Sequence, residues 1–135
     1  MHVLSASDHA GVDLKAALIK GMPGIGWNDL GPAAKDSVDY PDFADEVARR
    51  VHRDPTMRCV LICGSGQGMA MRANKYANVR AALAWNDEVV RLSRQHNDAN
   101  VLALPARFIS VELETSFERG RHAGRVEKIS RPVDD

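Results

Sequence analysis

Cys59-Val60-Leu61-Ile62-Cys63-Gly64-Ser65-Gly66-Gln67-Gly68-Met69 is an apolar run that ends in a thiol and passes into a loop with glycine at every second position. From Met57 to Cys63 the chain is almost continuously apolar, as parallel strands covered on both faces are. Met69 to Tyr76 then reads as a helix. A buried strand that turns through glycines into a helix N-terminus makes an anion site, because backbone N–H groups point outward and the helix dipole favours negative charge. Two readings of Gly64 to Gly68 stand side by side: a tight structural turn, or a cradle for an oxyanion or phosphate. It is not a dinucleotide fingerprint, since Met69 stands where G-x-G-x-x-G needs its last glycine and the loop follows the third strand. Nor is it a Walker loop, since no Gly-Lys-Ser/Thr follows.

Working outward, Val3 to Ser7 is a short apolar strand and Asp8-His9-Ala10-Gly11 a turn. Leu14, Ala17 and Leu18 recur at helical spacing. Gly21 to Gly26, with Pro23 inside, ends that helix, Ile25 to Leu30 reads as a second strand, and Gly31 to Val38 as a loop. Asp39 is placed to cap a helix with Pro41 in its first turn and Phe43, Ala44, Val47, Ala48 and Val51 on its buried face. Val79 to Trp85 reads as the fourth strand. Asn86 then caps a helix with Asp87 and Glu88 in its first turn, Val89, Val90 and Leu92 inward, and Arg91 and Arg94 late. Val101 to Leu104 is a fifth strand with Arg107 close behind. Ile109 to Phe117 and Arg121 to Ile129 read as closing helical pieces. This alternation predicts an α/β fold, a three-layer αβα sandwich of Rossmann-like type with a five-stranded parallel sheet. Ligands in such folds bind outside the carboxyl ends of the strands. Asp8-His9, Cys63 to Gly68, Trp85-Asn86 and Arg107 all follow strands on that edge.

The 135 residues suit one domain spanning 1–135, and 44% hydrophobic content is that of an ordinary globular protein. Eighteen basic residues balance eighteen acidic ones, which argues against a surface built for nucleic acid or anionic membrane. No apolar run approaches the ~20 residues of a membrane span. Met1-His2-Val3-Leu4-Ser5 lacks the pattern of a signal peptide, so a cytoplasmic location is expected. The two cysteines, four apart on one strand, lie roughly 13 Å apart, too far for a disulfide, and a lone C-x3-C is a poor zinc site. No metal site is expected.

Cys63 reads either as a buried structural thiol or as a reactive one beside a helix N-terminus, whose field favours an anionic sulfur; Cys59, inside the strand, reads as structural. His96, within Gln95-His96-Asn97-Asp98, suits a helix cap or surface residue as well as a catalytic one, and Asp8-His9 suits a capping turn as well as a site. Arg121 and Arg125, at i and i+4, repel by a few tenths of a kcal/mol unless they share an anion. The collection suggests a phosphorylated substrate handled by acid–base chemistry.

The chain resembles the type B ribose-5-phosphate isomerases and their galactose-6-phosphate isomerase relatives. The match runs through Ser7-Asp8-His9-Ala10-Gly11, Val38-Asp39-Tyr40-Pro41-Asp42-Phe43-Ala44, Ile62-Cys63-Gly64-Ser65-Gly66-Gln67-Gly68, Ala73-Asn74-Lys75, Ser93-Arg94-Gln95-His96-Asn97-Asp98-Ala99-Asn100-Val101 and Gly120-Arg121-His122-Ala123-Gly124-Arg125-Val126. It covers nearly the whole chain in the right order.

The resemblance implies cofactor-free aldose–ketose isomerisation of a sugar phosphate, ribose 5-phosphate by default, through a cis-enediolate. Cys63 matches the general base that moves a proton between C2 and C1. The loop Gly64, Ser65, Gly66, Gln67 and Gly68 would stabilise the enediolate oxygen, with Ser65 assisting. His96 matches the residue that helps open the sugar ring, Asp8 and Tyr40 lie near the sugar hydroxyls, and Asn97 lies near the enediolate. His9, Arg107, Arg121 and Arg125 match phosphate ligands. The resemblance also implies a homodimer or tetramer with the site between subunits. Some relatives place a glutamate base where this chain has Met69, so it resembles the cysteine type. Between Leu113 and Gly120 roughly two helical turns are missing relative to the family, and Glu118-Arg119-Gly120 replaces acid-glycine-glycine. That shortening motivates a second hypothesis, a non-catalytic subunit needing a paralogous partner. A tetrose or hexose phosphate substrate is a further alternative.

Overall fold

The computed structural model describes residues 1–32 and 40–109, and of Tyr40 the backbone only. Strands β1 (His2–Ser7), β2 (Gly26–Asp29), β3 (Arg58–Cys63), β4 (Ala81–Leu83) and β5 (Val101–Pro105) form one sheet in the order β2-β1-β3-β5-β4. All four pairings are parallel. Helices α1 (Val12–Gly21), α2 (Tyr40–Arg53), α3 (Gln67–Ala73) and α4 (Asp87–Asn97) make the crossovers. The expected capping residue Asp39, the loop residues beyond Pro32 and both closing helical pieces lie outside the described residues.

Right-handed crossovers decide which face each helix covers. The steps β1 to β2 and β5 from β4 run one way across the sheet, so α1 and α4 share a face. The steps β2 to β3 and β3 to β4 run the other way and put α2 and α3 on the opposite face. The core divides accordingly. Leu14, Leu18 and Val90 pack on Val3, Val60, Ile62, Leu102 and Leu104. Ala44, Val47, Val51, Met69 and Ala73 pack on Leu4, Ala6, Cys59, Leu61, Cys63 and Val101. Three layers result, as the alternation of elements predicts.

Three expectations need correction. Helix α3 begins at Gln67, two residues early, because Gly66 adopts φ +76° and its carbonyl accepts the Ala70 N–H at 3.1 Å. It also ends at Ala73. Asn74 leaves the helix to bond both the N–H and C=O of Ala81 through its side chain. That amide lies along the edge strand and occupies groups that would otherwise template further pairing. Strand β4 is accordingly three residues rather than seven, although Arg80 O and Ala84 N still bond toward β5. On α4 only Val90 of the three inward residues is fully buried; Val89 and Leu92 are half-buried, and Arg94 is buried instead.

Helices α2 and α3 are joined by a polar fork. Arg72 donates to both oxygens of Asp45, at 2.7 and 3.1 Å, and Tyr76 donates its hydroxyl at 3.0 Å. The Arg72 guanidinium holds the Asp45 carboxyl below the ordinary carboxylate range, against an opposing desolvation. Because the folded value is depressed, this pair stabilises the fold above the unfolded carboxylate pKa of about 3.9 and is lost as pH falls through the folded value. Urea midpoints of the parent and Asp45→Asn should therefore differ by a constant amount above about pH 5 and converge in strong acid. A difference that does not change with pH would show that the carboxylate charge contributes nothing.

Candidate active site

Chain direction makes the site. The chain leaves β1 toward one edge of the sheet and leaves its neighbour β3 toward the other, so α1 and α3 start on opposite faces. The crevice this opens at the carboxyl ends is where ligands bind in open α/β sheets. The Asp8-His9 turn and the Gly64–Gly68 loop flank it.

Backbone hydrogen bonds hold these loops together. Asp8 N donates to Ile62 O at 3.0 Å, Ala106 N to Cys63 O at 2.8 Å, and Arg107 N to Gly64 O at 3.0 Å. The exits of β1 and β5 are thus both bonded to the exit of β3. Asp8 also caps its own 3-10 turn, its Oδ1 accepting from Ala10 N at 2.9 Å and Gly11 N at 3.2 Å. Gly11 permits this closeness: a Cβ there would sit 2.7 Å from Ile62 Cγ2 and 2.8 Å from Ile62 O.

Cys63 is buried, 5% exposed, and its Sγ accepts the N–H of Gly66 at 3.2 Å. That bond ties the sulfur to the loop that opens α3. Gly66 must be glycine here. Its φ is left-handed, and a Cβ would lie 2.5 Å from Leu83 Cδ1 and 3.1 Å from the Leu104 carbonyl carbon. Ser65 and Gln67 are exposed, and the Ser65 hydroxyl accepts Gln67 N at 3.4 Å. Gly68 falls in the first turn of α3, where backbone N–H groups have no intrahelical acceptor. Cys59, by contrast, is held as a thiol, pushed up to about 12 by burial. Both cysteines are free.

At the same edge, Arg107 lays its guanidinium against Gly64, with Nε 3.1 Å from where a Cβ would be. His9 is half-buried, and its buried Nδ1 has no hydrogen-bond partner among the described residues. An unmatched buried nitrogen costs about 1–3 kcal/mol, so this ring is suited to a ligand. Trp85 and Phe108 stand 55% and 76% exposed just past β4 and β5. Asp8, His9, Cys63, Gly64, Ser65, Gly66, Gln67, Gly68 and Arg107 therefore share one edge.

His96 and Asn97 do not join them within this chain. Helix α4 starts at the carboxyl edge and runs back for 11 residues, about 16 Å at 1.5 Å per residue. Its end is at the amino edge, where Asp98 bonds Arg80, just ahead of β4. Both residues are exposed there. The side chain of Tyr40 and the whole of Arg121 and Arg125 lie outside the described residues; the backbone of Tyr40 opens α2. No group of three or more potential metal ligands occurs among the described residues, and no helix among them is long and apolar enough to cross a membrane.

One buried charge escaped the sequence reading. Lys15 is 2% exposed. Gly11, Leu14, Lys15 and Leu18 trace a single helical stripe, so a lysine at 15 stands at a core position; that spacing was the available signal.

Residues 3–129 match the Ribose/Galactose Isomerase family. A probable ribose-5-phosphate isomerase B of Mycoplasma pneumoniae is 42% identical, covering 92% of this chain and 90% of that protein. The ribose-5-phosphate isomerase B of Escherichia coli is 37% identical over 91% of this chain and 90% of its own. Among solved structures, the ribose 5-phosphate isomerase of Thermotoga maritima superposes with a TM-score of 0.78 at 38% identity, over 96% of this chain and 97% of that one. The Mycoplasma genitalium ribose-5-phosphate isomerase B, solved with bound ribulose 5-phosphate, gives 0.77 at 37% identity, over 96% and 93%. With its sheet order, its glycine loop behind Cys63 and matches of this extent, the chain belongs to the ribose/galactose isomerase family of aldose–ketose isomerases.

Proposed function

We propose that this chain interconverts ribose 5-phosphate and ribulose 5-phosphate through a cis-enediolate, with Cys63 as general base. The observation that carries the reading is the buried Cys63 sulfur, at the carboxyl end of β3 and bonded to a loop N–H at the start of α3. A thiolate there takes the proton from C2, and the electron pair moves to the carbonyl oxygen as the enediolate forms. The hydroxyl proton passes from O2 to O1, the thiol returns its proton to C1, and the carbonyl is left at C2. Remaining N–H groups of the glycine loop stabilise the charge that develops on oxygen, with Ser65 beside them. His9 and Arg107 bind the phosphate together with Arg121 and Arg125, and the phosphate's distance from the reacting carbons supplies orientation. Asp8 retains a second carboxylate oxygen, outside its capping bonds, for a sugar hydroxyl, and Tyr40 acts nearby. Ribulose 5-phosphate bound in the Mycoplasma genitalium relative supports this substrate choice.

The site is completed by a second copy of the chain. His96 and Asn97 are exposed at the edge opposite Cys63, so ring opening by His96 requires that another subunit's α4 end meet this subunit's crevice. The exposed Trp85 and Phe108 beside the crevice suit burial in such a contact. A cytoplasmic homodimer or tetramer with the site between subunits follows, with no cofactor in the chemistry.

The purified chain, without added metal or nucleotide, should interconvert ribose 5-phosphate and ribulose 5-phosphate. Cys63→Ala should lower turnover by at least about a hundredfold with an unchanged unfolding midpoint. Retained turnover would remove the proposed base; preference for a tetrose or hexose phosphate would move the substrate; binding without turnover would favour the non-catalytic subunit. Iodoacetamide at pH 8, read by peptide mass mapping, should label Cys63 and spare Cys59, and ribose 5-phosphate should slow the labelling.

Sharing of the site between subunits has a separate test. Cys63→Ala and His96→Gln should each be inactive alone. Unfolded together and refolded as an equal mixture, they should regain about a quarter of the parent activity, because half the dimers are mixed and each has one intact site of two. A mixture that stays inactive would mean that His96 and Cys63 act within one chain.

A further inference from the structure

We propose that Lys15 is a positioning residue, which holds the exit of β2 against the Asp8 turn and so sets the wall of the pocket that receives the sugar. This rests on the reading of the crevice as a sugar-phosphate site. Lys15 lies on α1, the helix that begins directly behind Asp8-His9, and its side chain is almost wholly inside. A buried ammonium is costly unless paired and hydrogen-bonded. Here Nζ donates to Asp29 Oδ1 at 2.7 Å and to the Pro32 carbonyl at 2.7 Å. The same carboxylate oxygen accepts the Gly31 N–H at 2.9 Å, and the Gly31 carbonyl accepts the N–H of Ser7 at 3.1 Å. Ser7 is followed at once by Asp8. A continuous path of hydrogen bonds therefore runs from Lys15 through Asp29 and Gly31 to the last residue before the site.

Among the described residues, the remaining hydrogen bonds of this segment are backbone ones. Leu30 N bonds Ser5 O at 2.8 Å, the last step of the β1–β2 ladder. On the far side Gly31 lies against the Phe43 ring, 3.7 Å from where a Cβ would be. Register places Asp29 beside Ser5, and Ser5 and Ser7 carry buried hydroxyls with no partner among the described residues. The strand thus offers small side chains under α1 where a longer one would fill the lysine's space. If only stability were required, an apolar residue at 15 would complete the stripe of Leu14 and Leu18, since replacing a buried ion pair by apolar groups is often neutral or stabilising. What the ion pair adds is a fixed geometry for residues 29–32 at the crevice edge.

The test measures kcat and KM for ribose 5-phosphate in the parent, Lys15→Met, Asp29→Asn and the double variant, each well below its own unfolding midpoint. Lys15→Met and Asp29→Asn should each raise KM about tenfold while kcat changes much less, because the wall they position binds ground and transition state alike. The double variant should be no worse than the worse single one, since both changes break one tether. Unchanged KM in folded single variants, or fully additive effects, would overturn the proposal and leave Lys15 a packing residue. Should Lys15→Met not fold, Asp29→Asn alone decides, because Asp29 is partly exposed and asparagine keeps an acceptor for the Gly31 N–H while removing the charge that pairs with Nζ. A parent inactive on every sugar phosphate would overturn the functional reading instead, a result distinct from an active parent whose variants keep its KM.

Discussion

Three consecutive carbonyls at the end of β3 organise the functional edge of this protein. Those of Ile62, Cys63 and Gly64 accept N–H groups from Asp8, Ala106 and Arg107. The hydrogen bonding runs past the strand ends, by one residue after β1 (Asp8) and by two after β5 (Ala106 and Arg107). Backbone bonds therefore set the separations of the Asp8 turn, the glycine loop and Arg107, while the side chains remain available for a ligand. The arrangement has a steric requirement. Gly11 sits over the Ile62 carbonyl that the Asp8 N–H uses, and Gly66 turns the chain beneath Leu83 and Leu104. A side chain at either position would push apart the loops that these bonds draw together.

The two edges of the sheet use their polar groups differently. At the amino edge the arginines are engaged with backbone. Arg58 donates to the carbonyls of Thr56 and Met57, Arg80 to Asp98, and Arg94 to Asp98 and the Ala99 carbonyl. Burial and the neighbouring Arg94 lower the Arg58 guanidinium below its usual range. Asn100 closes the same edge through Arg80 N and the Asn78 carbonyl. At the carboxyl edge His9 Nδ1 has no partner among the described residues, and Arg107 rests on a glycine. Within one copy of the chain, the loops suited to a ligand therefore gather at the carboxyl edge, where ligands bind in open parallel sheets.

Sequence periodicity read the fold well because each element is covered in the way its pattern implies. The unbroken apolar run at 59–63 is buried on both faces, and the stripe through Val47, Ala48 and Val51 is fully inside. What it misread was governed by single side chains acting at a distance in sequence. Asn74 left its helix to cover the edge of β4, seven residues on. Lys15 went inward because an acid fourteen residues later waited for it. Arg94 looked like a residue placed for the helix dipole, yet it is buried to hold the chain's return into β5. The first two partnerships have no local spacing signature, whereas Arg94 and Asp98 are an i,i+4 pair whose burial the spacing alone does not reveal. The site was legible in its composition, since the Asp8 turn, the glycine loop and Arg107 all follow strands, but not in its extent.

That incomplete extent is itself informative. In a parallel sheet a helix that follows a strand must end at the opposite edge, so no sequence change within α4 could bring His96 to Cys63 of the same chain. Strands of six residues separate the edges by about 20 Å. Residues from both edges can act on one small substrate only if a second copy presents its amino edge to the first copy's crevice. In the proposed dimer a two-fold axis would make that contact reciprocal, the surface that gives His96 and Asn97 to one site receiving the partner's at the other, so that sites would form in pairs. The position of His96, poor evidence for a site within one chain, becomes an argument for assembly once the direction of α4 is taken into account.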